Sequence, residues 1–293
     1  MKIGTVVCFI VYAMTSGTAW AQQSKPQPSP SPRQAEEETL ELNTALMRST
    51  FKLIGDGSIG TAFIIGRPSE KDPTRGASVL VTAAHVLEKA TGNEATLVMR
   101  TKSKDGYVKA LYPIRIREGG KPLWTRHPYA DVAVMYVPVP PEADFGGLSA
   151  SFLATDEILT ELQIHPGDSL SCLGFPNGIE GNDSGFPILR SGKIASYPLF
   201  PTRVVKSFLF DINVFDGNSG GPVYLAETNR MLLPRSIRVG ATQFIVGLVS
   251  EQIFASSDST SQASRPKESL RLAVVIHASL IHDTIDRLPR KEE

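Results

Sequence analysis

Three glycines and a proline surround one serine in Gly217-Asn218-Ser219-Gly220-Gly221-Pro222, and this run limits the backbone more than any other stretch of the chain. It makes a tight turn in which Gly220 and Gly221 let the chain press against neighbouring strands where a Cβ would collide. Taken alone it is a turn and nothing more. It also meets the needs of a serine nucleophile. Attack on an acyl carbon builds up negative charge, which the backbone N–H groups of Gly217 and Ser219 can meet, and a bare Gly217 neither strains the turn nor blocks a substrate.

A serine hydroxyl is a poor nucleophile at neutral pH and needs a base, which narrows attention to His85, His127, His165, His277 and His282. His85 closes Ser78-Val79-Leu80-Val81-Thr82-Ala83-Ala84-His85, a β-branched apolar strand that breaks at two small residues. His127 and His165 stand before prolines and read as loop residues, His277 as a strand end and His282 as a helix surface. In Tyr129-Ala130-Asp131-Val132-Ala133-Val134-Met135 a carboxylate opens an apolar strand, where it would be partly buried and in need of a partner. A histidine N–H is a good partner. His85 is therefore the expected base, and Asp131 the group that fixes its tautomer.

Short apolar runs interrupted by 24 Gly and 21 Pro imply an all-β chain. The 30 basic residues balance 30 acidic ones, so charge gives no reason to expect nucleic acid or a charged membrane as partner. The sequence holds no internal repeat, metal-spaced His/Cys cluster or phosphate loop, and neither cofactor nor metal is implied.

Thr82-Ala83-Ala84-His85, Asp131-Val132-Ala133-Val134 and Gly217-Asn218-Ser219-Gly220-Gly221-Pro222, in that order, resemble the trypsin-like (chymotrypsin-fold) serine peptidases. The resemblance runs from about residue 50 to the C-terminus. It implies two six-stranded antiparallel β-barrels with the active site in the cleft between them, plus short N- and C-terminal helices. It also implies a triad of His85, Asp131 and Ser219, with an oxyanion hole from the N–H groups of Gly217 and Ser219. The likeness is nearer to the bacterial high-temperature-requirement branch than to digestive enzymes. Asn218 stands where secreted zymogens place an aspartate for a freshly cut N-terminal ammonium, and no Ile-Val-Gly-Gly start is present, so a site formed without propeptide cleavage is expected. Gly57 to Ile65, Gly174-Phe175-Pro176 and Leu189 to Ile194 match further segments of that branch. The PDZ domain usual in the branch is not expected, since the roughly seventy residues after Ser219 are taken up by the barrel and a final helix with Ile281, Ile285 and Leu288 on one face.

By alignment with the family, Asn213 forms the floor of the primary side-chain pocket and Val214 lines it, while Ser250, Glu251 and Gln252 form the strand that pairs with substrate backbone. With no aspartate at the floor and Gln252 narrowing the pocket, small or medium uncharged side chains are expected, not Arg or Lys.

Lys2, the apolar run Ile3 to Ala13 and Ala19-Trp20-Ala21 have the charge, core and small-x-small site of a secretory signal peptide, an uncleaved anchor being the alternative. Cys8 falls inside that signal, leaving Cys172 without an internal disulfide partner, and its apolar setting makes it a packed thiol rather than a rival nucleophile. The expected domains are a signal peptide over 1–21, a Pro-rich tether and short helix over 22–48, a first barrel over 49–150 and a second over 151–293. Glu36 to Arg48 reads as a helix laying Leu42, Ala45 and Leu46 on the first barrel, and Ala255 to Ser264 as a polar surface loop. The whole reads as an exported serine endopeptidase, periplasmic or secreted from a bacterium, acting on proteins or peptides, with no stable membrane insertion once the signal is cut. Two alternatives stay open: an esterase using the same triad, and a catalytically silent homologue that holds peptides.

Overall fold

The computed structural model describes residues 42–69, 76–233, 236–254 and 269–289. The expected signal peptide, the tether, the start of the N-terminal helix and the loop from Ala255 to Ser264 lie outside the described residues.

A helix over residues 42–49 (α1) leads into strands β1 (Thr50–Gly55), β2 (Ser58–Pro68) and β3 (Gly76–Thr82), then a short helix α2 (Ala84–Lys89). Strands β4 (Glu94–Ser103) and β5 (Gly106–Arg115) follow, then the two-residue pairs β6 (Arg117–Glu118), β7 (Lys121–Pro122) and β8 (Thr125–Arg126), and β9 (Ala133–Tyr136). After α3 (Asp156–Glu161) come β10 (Ser169–Gly174), β11 (Ile188–Ile194), β12 (Ser207–Asp211), β13 (Pro222–Leu232), β14 (Ser236–Phe254) and β15 (Ser269–His277), and α4 (Ala278–Asp286) closes the order.

The all-β, two-barrel expectation is borne out. The second half is a closed six-stranded barrel in the order β10-β11-β12-β15-β14-β13, with antiparallel pairings throughout. The first half counts seven strands, β5-β4-β1-β2-β3-β9-β8, because the short β8 adds a strip beside β9. Alternating side chains put Leu53, Ile64, Leu80 and Leu97 on one shared face of the first sheet and Cys172, Phe210, Val223 and Val275 on one shared face of the second, all of them buried.

Both terminal helices join the two halves. Leu42 and Leu46 of α1 are buried, yet Asn43 accepts a hydrogen bond of 2.6 Å from Tyr224 on β13 of the second barrel. The buried Arg100 guanidinium gathers the segment after α1, donating to the carbonyls of Met47, Arg48 and Thr50 and to Gly185 between the barrels. Of the residues expected on the final helix, Ile281 and Ile285 of α4 and Leu288 just beyond its end are buried. That helix was expected on the second barrel; it also packs on β8 and β9 of the first.

His277, the last residue of β15, is 1% exposed, and neither ring nitrogen has a hydrogen-bond partner among the described residues. Its ring leans on Phe208 at 5.1 Å, and burial lowers its pKa to about 4. The folded chain thus holds this imidazole neutral, whereas the unfolded chain takes up a proton near the ordinary value of about 6.5. The sign follows: stability is fully present above about pH 6.5 and falls as pH drops towards 4, by about 3 kcal/mol. Denaturant midpoints measured across that window should show this acid loss, and His277→Leu should flatten it.

Candidate active site

Thr82 ends β3, the small Ala83 and Ala84 turn the chain, and His85 sits in the first turn of α2 rather than on the strand itself. Asp131 lies in the turn before β9, two residues ahead of the strand it was expected to open. The two meet twice. His85 Nδ1 is 2.7 Å from Asp131 Oδ2, and the His85 backbone N–H donates to Oδ1 at 3.0 Å. A carboxylate accepts only, so the imidazole carries its proton on Nδ1 and leaves Nε2 as a base.

A third donor completes the carboxylate's shell: Ser250 Oγ donates to Asp131 Oδ2 at 2.6 Å. Burial raises the Asp131 pKa, but the hydrogen bonds from His85 and Ser250 outweigh it and hold the carboxyl at about 2. Ser250 reaches Asp131 because the β14–β15 register slips between Val249 and Glu251, an irregularity that re-aims the side chain across the cleft. Its carbonyl in turn accepts a hydrogen bond of 2.8 Å from Ser219 Oγ. Ser219 and Asp131 are therefore linked through one residue. Among the described residues no hydrogen bond joins Ser219 Oγ to His85; in this conformer the hydroxyl is committed to Ser250.

The turn around Ser219 is clamped from both barrels. Thr61 on β2 donates its N–H to the Ser219 carbonyl at 2.8 Å and its hydroxyl to the Gly217 carbonyl at 2.6 Å. From the other side, Gly220 N–H and Gly221 O bond Val249 at 2.7 and 2.9 Å. Gly217 has φ +93°, and a Cβ there would lie 2.2 Å from the Phe175 carbonyl oxygen. The backbone N–H groups of Gly217 and Ser219 donate to no acceptor among the described residues. Asn218 is buried, with its Oδ1 unpartnered among the described residues. An aspartate there would be a buried charge with no counter-ion, so the amide suits a site that receives no ammonium.

The sequence matches the trypsin-like peptidase domain family model over residues 60–232, more than half of the chain. The chain belongs to the trypsin-like peptidase domain family. A search of curated protein sequences finds no match. Solved structures that resemble this trypsin-like peptidase domain include the protease Anisep from Arthrobacter nicotinovorans, at 13% identity over 83% of this chain and 96% of that one, with a TM-score of 0.47. The Rv3671c protease in an inactive form resembles it at 18% identity over 90% of this chain and 100% of that one, with a TM-score of 0.44.

The five residues assigned to the peptidase pocket do not all face one way. Val214 is buried, Asn213 and Gln252 are half-buried, and the Gln252 amide donates to Asn213 Oδ1 at 3.3 Å. Glu251 is exposed, while the Ser250 side chain, 5% exposed, turns to Asp131 instead. Past Leu248, β14 leaves β13 and keeps β15 as its strand partner, so from Ser250 onward one edge faces the Ser219 turn.

Two supports of the peptidase site are not evident from the sequence. One is the Ser250 hydroxyl. The other is His127, a loop residue as expected but 3% exposed: its Nδ1 accepts from Tyr129 N–H at 3.2 Å and its Nε2 lies 3.0 Å from Asp283 on α4. Burial lowers its pKa, partly offset by Asp283. The loop bearing Asp131 is thereby pinned to the C-terminal helix. Cys172 is a free buried thiol whose pKa burial pushes up to about 12, which leaves it protonated and inert.

Proposed function

We propose that the chain is a serine endopeptidase in which Ser219 attacks a peptide carbonyl, His85 takes the hydroxyl proton and returns it to the leaving amine, and Asp131 orients the imidazole. The N–H groups of Gly217 and Ser219 hold the oxyanion, and water releases the acyl group by the same route. The observation that carries this reading is the hydrogen-bonded path from His85 through Asp131 and Ser250 to Ser219, lying beside two backbone N–H groups with no internal acceptor. A rotation of the Ser219 hydroxyl from Ser250 to His85 Nε2 is the step that arms it.

Peptides are favoured over simple esters by the β14 edge beside Ser219, which can take an extended backbone as an added strand. Turnover of a peptide series of increasing length, set against a short acyl ester, tests this. The reading requires kcat/KM to climb with peptide length; efficient ester turnover with no gain from added residues would favour the esterase. We extend the proposal to an exported enzyme that needs no propeptide cleavage, on the strength of the signal-like segment 1–21 and the amide at Asn218.

Ser250→Ala removes one charge-assisted hydrogen bond from Asp131 while leaving its carbonyl in place. Peptide kcat/KM is expected to fall about 10- to 100-fold. With that donor gone the Asp131 carboxyl pKa rises from its depressed value. An unchanged rate would show that Ser250 does not position the carboxylate.

A further inference from the structure

Several arginines among the described residues are well supplied with acceptors. Arg48 binds Asp144, Arg230 binds Asp168 and Glu227, and Arg100 is enclosed by four carbonyls and the rings of Phe51 and Phe186. Arg190 on β11 differs. Its Nη1 donates to the carbonyl of Asn213, and its guanidinium lies over the Phe215 ring at 5.6 Å from the centroid. Among the described residues no carboxylate stands within ion-pair distance of it, and its other N–H groups donate to no protein acceptor. A guanidinium carries five N–H donors in a fixed fork, so most of this fork is unspent.

The place of this cation gives it a use. Asn213 and Phe215 belong to the segment that runs into Ser219, and Gln252, bonded to the Asn213 amide, follows Ser250, whose carbonyl holds the Ser219 hydroxyl. Arg190, Asn213 and Gln252 thus form one hydrogen-bonded row from β11 to β14, ending beside the nucleophile. The aromatic face and the Asn213 carbonyl hold the guanidinium in place, so a ligand meets a positioned fork rather than a freely rotating side chain.

We infer that Arg190 selects an acidic side chain, aspartate or glutamate, on the residue whose carbonyl Ser219 attacks. This rests on the peptidase reading above and names its substrate class. A carboxylate matches the fork in plane and charge, whereas an uncharged side chain leaves the cation unpaired and a lysine or arginine is repelled. It departs from the small or medium uncharged side chains expected from Asn213 and Gln252 alone, since Arg190 lies 23 residues from Asn213, on β11, while Asn213 follows the end of β12.

The test uses the full chain and matched peptides that differ only at the residue donating the scissile carbonyl: Glu against Gln, Asp against Asn, with Leu and Lys for comparison. The acid should exceed its amide by at least about tenfold in kcat/KM. Added salt should shrink that ratio in the unmodified protein, a reading independent of any substitution. Arg190→Gln should bring the ratio close to one, and Arg190→Glu should turn the preference towards Lys. Fluorophosphonate labelling of Ser219 is run in parallel to separate two failures. Labelling with cleavage after neutral or basic residues, or an acid preference that survives Arg190→Gln, overturns the role of Arg190 and leaves the peptidase reading standing. The absence of both labelling and cleavage of any peptide overturns the peptidase reading, and this inference with it.

Discussion

Ser219→Ala should lower peptide turnover by a factor on the order of 10⁴ or more and leave the melting temperature almost unchanged. The two halves of that result have separate causes. Ser219 Oγ makes one hydrogen bond, to the Ser250 carbonyl, so its removal costs about 1 kcal/mol. The turn itself is held by backbone groups, through Thr61 on one side and Val249 on the other, and these do not depend on the hydroxyl. The rate loss follows from the proposed role of Ser219 as the nucleophile, for which Cys172, buried and protonated, is no substitute. Steady-state kinetics and a thermal melt on the same preparation check both halves.

Gly220→Ala should act in the opposite sense and damage the fold first. Gly220 has φ +88°, where an L side chain is strained, and its Cβ would lie 2.1 Å from the Thr61 carbonyl oxygen and 2.3 Å from Thr82 Oγ1. Neither neighbour can retreat cheaply. Thr61 bonds both Gly217 and Ser219, and the Thr82 hydroxyl donates to the Thr61 carbonyl at 2.7 Å. Backbone strain and overpacking together should cost about 4 kcal/mol, seen as a lower denaturant midpoint. Activity falls with it, since the same shift moves the Ser219 N–H. A midpoint equal to that of the unsubstituted protein would show that the turn is looser than its contacts indicate.

The glycines of this turn were legible because each reports on its own backbone: Gly220 meets Thr61 and Thr82, and Gly221 would place a Cβ 2.1 Å from the Leu173 oxygen. His85 was legible because an apolar strand broken by two alanines is a local pattern, although the pattern does not show that the break starts α2. Asp131 was found by the cost of burying a carboxylate, a local argument that requires a partner without naming all of them. What stayed hidden depends on distant residues or on register. Ser250 owes its aim to a slip in one ladder, which composition does not reveal. His127 finds Asp283 at a separation of 156 residues, and Arg190 on β11 finds Asn213 in the segment after β12. The seventh strand of the first sheet, Thr125–Arg126, is two residues long and too short for any periodicity.

In the proposed mechanism Ser219 is an activated nucleophile. Incubating the full chain with a fluorophosphonate probe, beside Ser219→Ala, and locating the adduct by mass spectrometry tests it most directly. An activated Ser219 gives one adduct, on the peptide carrying Ser219, and none in the variant; an unlabelled chain, or an adduct elsewhere that persists in Ser219→Ala, would contradict it.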